Sequence, residues 1–294
     1  MDTQNQKFPT EKQCQWLAGL IDGDGCFLLS PQGYACLEIT VAIYDVLLLM
    51  KIKQWFGGSV KPRSGSQSVR YRLHHRAGIV SLLQAVNGQL RNSIRQIQVN
   101  RLLNHFGIPI KPATDFDWNS AYASGLFDSD GSVILSVKKH QVTQTPDQIG
   151  TMGKIHRLKW ATNTQLTIKI TQKYRSNLDF LITPMQRLTF ATYEQSYLVK
   201  SHSKSDSCIT YPFGKIYKDV SQNGYFSWTL QDEASICDWL HYVTQNPCHS
   251  KKAHRLRLIP TYYALKHLKA FKAEPQSVLK KRWDAFAQSW HRFD

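Results

Sequence analysis

Four aspartates stand in two pairs that share one sequence pattern. The first pair, Asp22 and Asp24, closes the run LAGLIDGDG at residues 17–25, and the second pair, Asp128 and Asp130, closes ASGLFDSDG at residues 123–131. The shared frame Gly-Leu-apolar-Asp-small-Asp-Gly recurs after 106 residues, from position 24 to position 130, which is the separation of whole domains. The pattern therefore predicts two copies of one unit.

A calcium-binding loop is an alternative source of the pattern Asp-x-Asp-Gly. Such a loop needs a third oxygen ligand two residues after the second aspartate and a glutamate at its twelfth position. Counted from Asp22, these positions hold a cysteine and a glycine, and counted from Asp128 they hold a serine and a lysine. The spacing excludes the calcium loop. A single copy would also suit an ordinary helix that ends before a glycine, so the repetition is what favours a functional motif.

Each acidic pair is expected at the carboxyl end of a helix. Thr10 and Gln13 form a capping box behind a proline, which predicts a helix that begins there and ends near Asp22 or Gly23. In the second copy, Asp117 is the predicted cap of the corresponding helix.

A glycine lies inside each predicted motif helix, at Gly19 and at Gly125. Because glycine destabilises a helix interior, its expected use is to let the two helix backbones approach closely. This packing would bring four carboxylates to helix ends that already disfavour negative charge. A bound divalent cation is the simplest remedy, and oxygen ligands without His or Cys indicate a hard ion such as Mg²⁺. The chemistry points to phosphate esters.

The paired motif resembles that of the LAGLIDADG homing endonucleases of the single-chain type with two repeats. The first copy departs from the family name only at Gly23, and the second is looser, with Ala123, Ser124, Phe127 and Ser129. The resemblance covers almost the whole chain. It implies an α+β fold of two pseudo-symmetric αββαββα units that form a DNA-binding saddle, with the motif helices at the interface between the units. It also implies a double-strand break at one long asymmetric DNA target.

The resemblance assigns metal binding to the second acid of each motif. Asp24 and Asp130 would bind the metal, with Gly23 and Ser129 as further metal-binding positions. Mg²⁺ is the expected cofactor, Mn²⁺ is expected to substitute for it, and Ca²⁺ is expected to bind without supporting cleavage. A structural role at the motif helices is assigned to four positions, which are Asp22, Asp128, Gly19 and Gly125.

Sites of this family usually have a polar residue on the second strand and a basic residue further on. Gln172 matches the polar position in the second copy, whereas the matching place in the first copy, near Val41-Ala42, is apolar. We therefore expect one DNA strand to be cut more slowly. The candidates for the basic group are Lys251 or Lys252 in the second unit and Arg91 or Arg95 in the first. The catalytic set is assigned to Asp24, Asp130, Gln172 and Lys251.

The charge balance indicates a polyanionic partner. The 294 residues include 37 Lys and Arg against 21 Asp and Glu, which gives a net charge of +16 and a pI near 9.6. Nucleic acid is the first candidate partner and an anionic membrane surface the second. The longest apolar stretch, residues 41–50, is too short to span a bilayer and contains Asp45. No membrane partner is expected.

Two further features bear on the cellular setting. The six cysteines form no CxxC pair, so they are expected to be reduced core residues. The first residues, MDTQNQK, show no targeting signal. Family members of this type are often encoded within organellar introns, so the expected location is a chloroplast or mitochondrion if the gene is organellar.

Hydrophobic periodicity predicts the same order of elements in both copies. Hairpins are predicted at 26–43 and 59–74, and again at 132–172, around a basic insert at 138–165, and at 215–230. Helices are predicted at 45–56, 77–86, 93–106, 176–198, 232–244 and from 251 onward, with a last helix whose Trp283, Phe286 and Trp290 belong to the core. The predicted boundaries are 1–107 for the first unit, 108–116 for a linker and 117–294 for the second unit.

The strands are the expected DNA-reading elements, because a two-stranded ribbon fits the major groove of B-DNA. Individual basic residues there could instead contact phosphates or only solvent. The expected partner is double-stranded DNA, with intron RNA as a possible second partner, and the protein is expected to be a monomer. The alternative functions are an RNA maturase on the same fold and a DNA-binding protein that has lost cleavage; retained Asp24 and Asp130 oppose the latter. The candidate DNA contacts are Arg63, Arg70, Arg72, Lys138, Lys139, Lys169, Lys215 and Lys218.

Overall fold

The computed structural model describes residues 8–137, 150–161, 163–185, 212–220 and 224–293. The described residues form nine α-helices and eight β-strands in an α+β arrangement. The helices are α1 (Glu11–Asp24), α2 (Val46–Phe56), α3 (Arg76–Val86), α4 (Ser93–His105), α5 (Tyr122–Asp130), α6 (Gly150–Lys159), α7 (Glu233–Gln245), α8 (Lys252–His267) and α9 (Val278–Trp290). The strands are β1 (Gly25–Leu29), β2 (Ala35–Ala42), β3 (Ser59–Pro62), β4 (Ser68–Leu73), β5 (Gly131–Val137), β6 (Thr164–Gln172), β7 (Lys215–Asp219) and β8 (Tyr225–Leu230).

The strands form two antiparallel sheets of the same topology. The first has the order β1-β2-β4-β3 and the second the order β5-β6-β8-β7. Alternation gives each sheet one face toward its helices. On β2 that face carries Leu37, Ile39 and Val41, all buried. The opposite face, which we call the outer face, carries polar and charged side chains.

The two motif helices, α1 and α5, pack directly against each other. A Cβ atom built on Gly19 would lie 2.1 Å from the carbonyl oxygen of Tyr122, and one built on Gly125 would lie 1.9 Å from the carbonyl oxygen of Trp16. Only glycine fits at either position. Because each motif runs directly from a helix into the first strand of a sheet, this contact also joins the two units.

Most of the predicted elements are confirmed. Both hairpins of the first copy and the three helices that follow its motif lie where the periodicity places them. Thr10 caps α1 in a capping box with Gln13, although the helix continues to Asp24 instead of ending at residues 22–23. The aromatic residues of α9 are buried, as predicted. Residues 108–116, the predicted linker, contain neither helix nor strand and are held by hydrogen bonds to the turn between α3 and α4.

Two local predictions are wrong. The α-helix predicted at 176–198 is replaced, in its described part, by short 3₁₀ turns at Arg175–Asn177 and Asp179–Ile182; Thr183 has a ψ of 129°, outside the helical region, as a residue before a proline tends to have. Residues 186–198 of that prediction lie outside the described residues. Asp117 does not cap α5, which begins at Tyr122, and instead accepts a hydrogen bond from the backbone amide of Asn119. The insert at 138–165, for which no helix or strand was predicted, contains α6, which packs on α9.

None of the described helices is both long and apolar enough to cross a lipid bilayer. Five cysteines lie in the described ranges, and all five are free thiols.

Candidate active site

Asp22 is buried where the end of α1 meets the start of α4. Its Oδ2 atom accepts hydrogen bonds from the backbone amides of Arg91 (2.6 Å) and Asn92 (3.0 Å), and the hydroxyl of Tyr122 on the other motif helix also donates to it. Burial raises the pKa of Asp22 to about 6, while these hydrogen bonds oppose the rise. Asp22 therefore sits at the positive amino end of α4.

Asp128 repeats this arrangement at the amino end of α8. Its two carboxylate oxygens accept hydrogen bonds from the backbone amides of His249 (2.7 Å) and Ser250 (3.0 Å). The indole of Trp16 donates to it from α1 at 2.9 Å. Trp16 and Tyr122 occupy the same position in the two copies, so each motif helix donates one side-chain hydrogen bond to the other. Two of the four clustered acids are thus stabilised by the protein itself.

Within the described residues, no backbone amide donates a hydrogen bond to Asp24 or Asp130, and these two acids lie together at the ends of the two motif helices. A Cβ atom on Gly23 would lie 2.5 Å from Oδ2 of Asp130, so the second acid reaches across to the first motif. Burial, and then repulsion from Asp130, raise the pKa of Asp24 to about 7. Burial also raises the pKa of Asp130. Negative charge at this pair is only partly compensated by the protein.

One basic side chain lies against the carboxyl end of each motif helix. The ammonium of Lys252 donates to three carbonyl oxygens of α5, at residues 127–129, over 2.6–3.1 Å. The guanidinium of Arg95 donates to the carbonyl of Ile21 in α1 at 3.4 Å. Both side chains lower the pKa values of Asp24 and Asp130. They place positive charge where the helix macrodipole is negative.

The other two candidates for the basic group point elsewhere. The backbone amide of Lys251 donates to Asp45 at 2.5 Å, and its ammonium lies 5.2 Å from the ring centre of Tyr44. The guanidinium of Arg91 donates to the carbonyl of Thr114 in the predicted linker at 2.7 Å. Lys251 nevertheless lines the cavity beside Asp24.

The two halves of the site differ at one equivalent position. Strand register pairs Gly25 with Ile39 and Gly131 with Ile170, which makes Val41 the counterpart of Gln172. Gln172 donates through Nε2 to Oδ2 of Asp130 at 2.7 Å. The buried Val41 offers no polar group to Asp24. The asymmetry expected from the sequence is present in the geometry.

A cavity of about 530 Å³ opens beside the first acid. Its lining combines Asp24 and Ser129 from the two motifs with Asp45, Arg63 and Lys251. Asp45 was not among the predicted site residues. It follows β2 in the first unit and reaches the second unit at Lys251, and no local sequence signal marks a contact between segments so far apart.

The donor set fits a hard cation. Across the described ranges, no group of three or more His, Cys, Asp or Glu side chains is arranged to hold a metal ion. Asp24 and Asp130, one carboxylate from each motif, could serve as charged donors to such a cation, and water or phosphate oxygens would complete the coordination, as Mg²⁺ prefers. The carbonyl of Ser129 already accepts a hydrogen bond from Lys252.

The candidate DNA contacts are distributed over both sheets. Arg70 and Arg72 lie on the outer face of the first sheet, and Lys169 and Lys215 lie on that of the second. Lys218 has the opposite strand parity, yet it lines the same groove as Lys169. Arg63 lines the cavity beside Asp24, as described above. Lys138 and Lys139 lie outside the described residues.

Comparison with known proteins identifies relatives of this chain. A family model described as LAGLIDADG endonuclease matches residues 17–92. The probable intron-encoded endonuclease aI2 of Debaryomyces hansenii is 32% identical over 279 residues, which cover 95% of this chain and 37% of that protein. The intron-encoded RNA maturase bI4 of Saccharomyces cerevisiae is 34% identical over 277 residues, which cover 94% of this chain and 36% of that protein. The chain thus spans little more than a third of the length of these relatives.

Solved structures share the fold. The meganuclease I-SmaMI, in a structure bound to uncleavable DNA, matches with a TM-score of 0.62 and 15% identity. The match covers 97% of this chain and 99% of that one. The two-sheet α+β architecture predicted from the paired motif is confirmed.

Proposed function

We propose that this chain is a LAGLIDADG endonuclease, a family whose model matches residues 17–92, and that it cuts both strands of a long asymmetric DNA target at a specific site by divalent-metal-dependent hydrolysis. One observation carries the proposal: Asp24 and Asp130, one from each unit, meet at the joined ends of α1 and α5. Their charge is only partly compensated, and a basic side chain lies against each helix end.

Different residues of the chain would have different roles in such a site. Asp24 and Asp130 would hold Mg²⁺, which when bound supplies activation of water and stabilisation of the leaving oxygen. The second amide hydrogen of Gln172 would orient a water beside Asp130. Its Oε1 accepts from the buried Asn177 at 3.4 Å, which fixes the amide orientation. Lys252 and Arg95 hold positive charge near the place where the scissile phosphates would lie.

The organisation of the chain supports further parts of the proposal. Both units, with the predicted boundaries 1–107 and 117–294, are present in one chain, so a monomer would present two different sheets to an asymmetric duplex. Both curated relatives are named as intron-encoded. We infer the same origin here, with an organellar location if the intron is organellar.

A second candidate function is assistance to RNA splicing. The Saccharomyces cerevisiae relative, 34% identical over 94% of this chain, is named an RNA maturase. A basic surface away from the outer faces could serve this role on the same fold.

The decisive experiment is cleavage of a randomised double-stranded DNA library in Mg²⁺, with Ca²⁺ as the binding-only control. We expect one long site cut on both strands in Mg²⁺ and binding without cleavage in Ca²⁺. Binding should weaken steeply with salt, because basic residues displace counterions from DNA. Absence of cleavage together with tight binding to a structured intron RNA would instead favour the maturase.

Gln172→Val introduces the residue found at the equivalent position of the first unit. We expect this substitution to slow the cleavage of one DNA strand selectively. We expect a decrease on the order of 10²-fold at the Asp130 half of the site, since general acid–base and water-orienting groups contribute about this much. End-labelled strands of a defined target would show a nicked intermediate. Gln165→Val, at the other end of β6, is the control and should change the cleavage rates of both strands equally. Equal slowing of both strands by Gln172→Val would contradict the assignment.

A further inference from the structure

Glu38 lies on the outer face of the first sheet between two of the candidate DNA contacts. Its Oε1 accepts a hydrogen bond from Nε of Arg72 at 2.7 Å and lies 2.5 Å from Nη2 of the same side chain, and its Oε2 accepts from Nη1 of Arg70 at 3.1 Å. The side chains of Arg70 and Arg72 remain 37% and 47% exposed. One carboxylate therefore holds two guanidinium groups that still face solvent.

A negative charge at Glu38 is unusual on a sheet face that is otherwise basic. It is the only acidic residue in the four strands of this sheet, whose outer face also carries Lys61. Partial burial works to raise the pKa of Glu38, but the hydrogen bonds and charges of Arg72 and Arg70 outweigh it and lower the pKa. A carboxylate here weakens attraction to phosphates, so a surface that only bound the DNA backbone would gain nothing from it.

The carboxylate does restrict where the arginines can point. A free arginine side chain samples many rotamers and readily reaches a phosphate, which carries no sequence information. Held by Glu38, each partly exposed guanidinium keeps N–H groups that the carboxylate does not use. Two such N–H groups match O6 and N7 of guanine in the major groove.

We propose that Glu38, Arg70 and Arg72 form one recognition unit in which Glu38 positions the two arginines to read two guanines of the DNA target. The inference rests on the proposed function and specifies how one sheet selects its sequence. Arg70 and Arg72 are two residues apart on β4, a distance of about 6.6 Å along a strand. Base pairs rise by about 3.4 Å, so the two guanines lie about two base-pair steps apart.

The second sheet lacks this unit. The strand register aligns Glu38 with Lys169, and the two arginines with Thr229 and Ser227. At the three equivalent positions, the second sheet has one lysine and two hydroxyl side chains where the first sheet has one acid and two arginines. The two halves of the target would therefore be read by different chemistry, as a single asymmetric site requires.

Glu38→Gln tests the proposal, with Glu274→Gln as the matched control. Glu274 is exposed and outside both sheets, so its variant removes the same charge without touching the unit. Binding would be measured in Ca²⁺ to the preferred site, to its single-base variants and to random duplex DNA. We expect Glu38→Gln to lose discrimination on the order of tenfold at two base pairs about two steps apart, since a bidentate arginine–guanine contact discriminates by about this factor or more.

A second readout separates positioning from a structural role. Binding of Glu38→Gln to random DNA should become tighter, because an acid has been removed from the DNA-facing surface, and its melting temperature should stay near that of wild type. A variant that is merely damaged would bind both kinds of DNA more weakly. Unchanged discrimination at every position would overturn the proposal, as would a loss confined to a cytosine contacted by Glu38 itself. If the wild-type protein prefers no duplex sequence, the proposed function itself is wrong, and this inference is wrong with it.

Discussion

Asp130→Asn is expected to abolish cleavage while DNA binding is retained. Asparagine has the shape of aspartate and keeps an oxygen that can accept the hydrogen bond from Gln172, so the local packing should survive. It lacks the negative charge that a divalent cation needs, so the rate should fall on the order of a thousandfold or more. Strand-specific cleavage in Mg²⁺, with binding measured in Ca²⁺, would check both parts. Asp24→Asn should behave in the same way.

The folded state should tolerate these substitutions well. Asp24 and Asp130 are largely buried and repel each other, so removing one negative charge should leave metal-free protein at least as stable as wild type. Asp117→Asn is the control, because Asp117 is exposed and its carboxylate accepts only two local hydrogen bonds, from the backbone and side-chain amides of Asn119. Loss of DNA binding in step with loss of cleavage would mean that the two acids serve the fold and not the chemistry.

The repeated motif carried most of the predictable information. A helix with a capping box, an alternating strand and a tight turn are encoded by neighbouring residues, so the elements of the first unit could be located from sequence. The close contact between the motif helices was predictable from the glycine inside each of them. The second unit was harder to predict because Arg175–Asn177 and Asp179–Ile182 form short 3₁₀ turns and α6 occupies an insert with no counterpart in the first unit.

The site itself depended on contacts that no local pattern encodes. Lys251 and Lys252 are equivalent in sequence terms, and only the docking of residues 249–250 on Asp128 determines that Lys252 reaches the end of α5. Repulsion among the four acids is also weaker than their clustering alone predicts, since Asp22 and Asp128 each lie at the amino end of another helix. This compensation of the negative charges depends on the positions of α4 and α8 in the folded protein, which the local sequence does not encode.

Gly125→Ala should severely destabilise the protein, although alanine is the better helix former by about 1 kcal/mol. The new methyl group would lie 1.9 Å from the carbonyl oxygen of Trp16 and 3.0 Å from the amide of Leu20, both of them backbone atoms of α1. Backbone cannot rotate away as a side chain can, so the helices must separate. Overpacking in a core costs about 1–3 kcal/mol and occasionally more, and here the separation also strains the Trp16–Asp128 hydrogen bond. We expect a net loss of about 3 kcal/mol in the free energy of unfolding.

Denaturant unfolding would measure that loss, with Gly65→Ala as the comparison. Gly65 has a positive φ of 71° but no atom within 4 Å of an added Cβ, so its variant reports only the conformational cost, about 1–2 kcal/mol. A Gly125→Ala protein as stable as wild type would show that the two helices are not packed backbone to backbone. If the variant folds with its helices slightly apart, cleavage should fall further than binding. The two sheets would still contact DNA, whereas Asp24 and Asp130 are brought together by this helix contact.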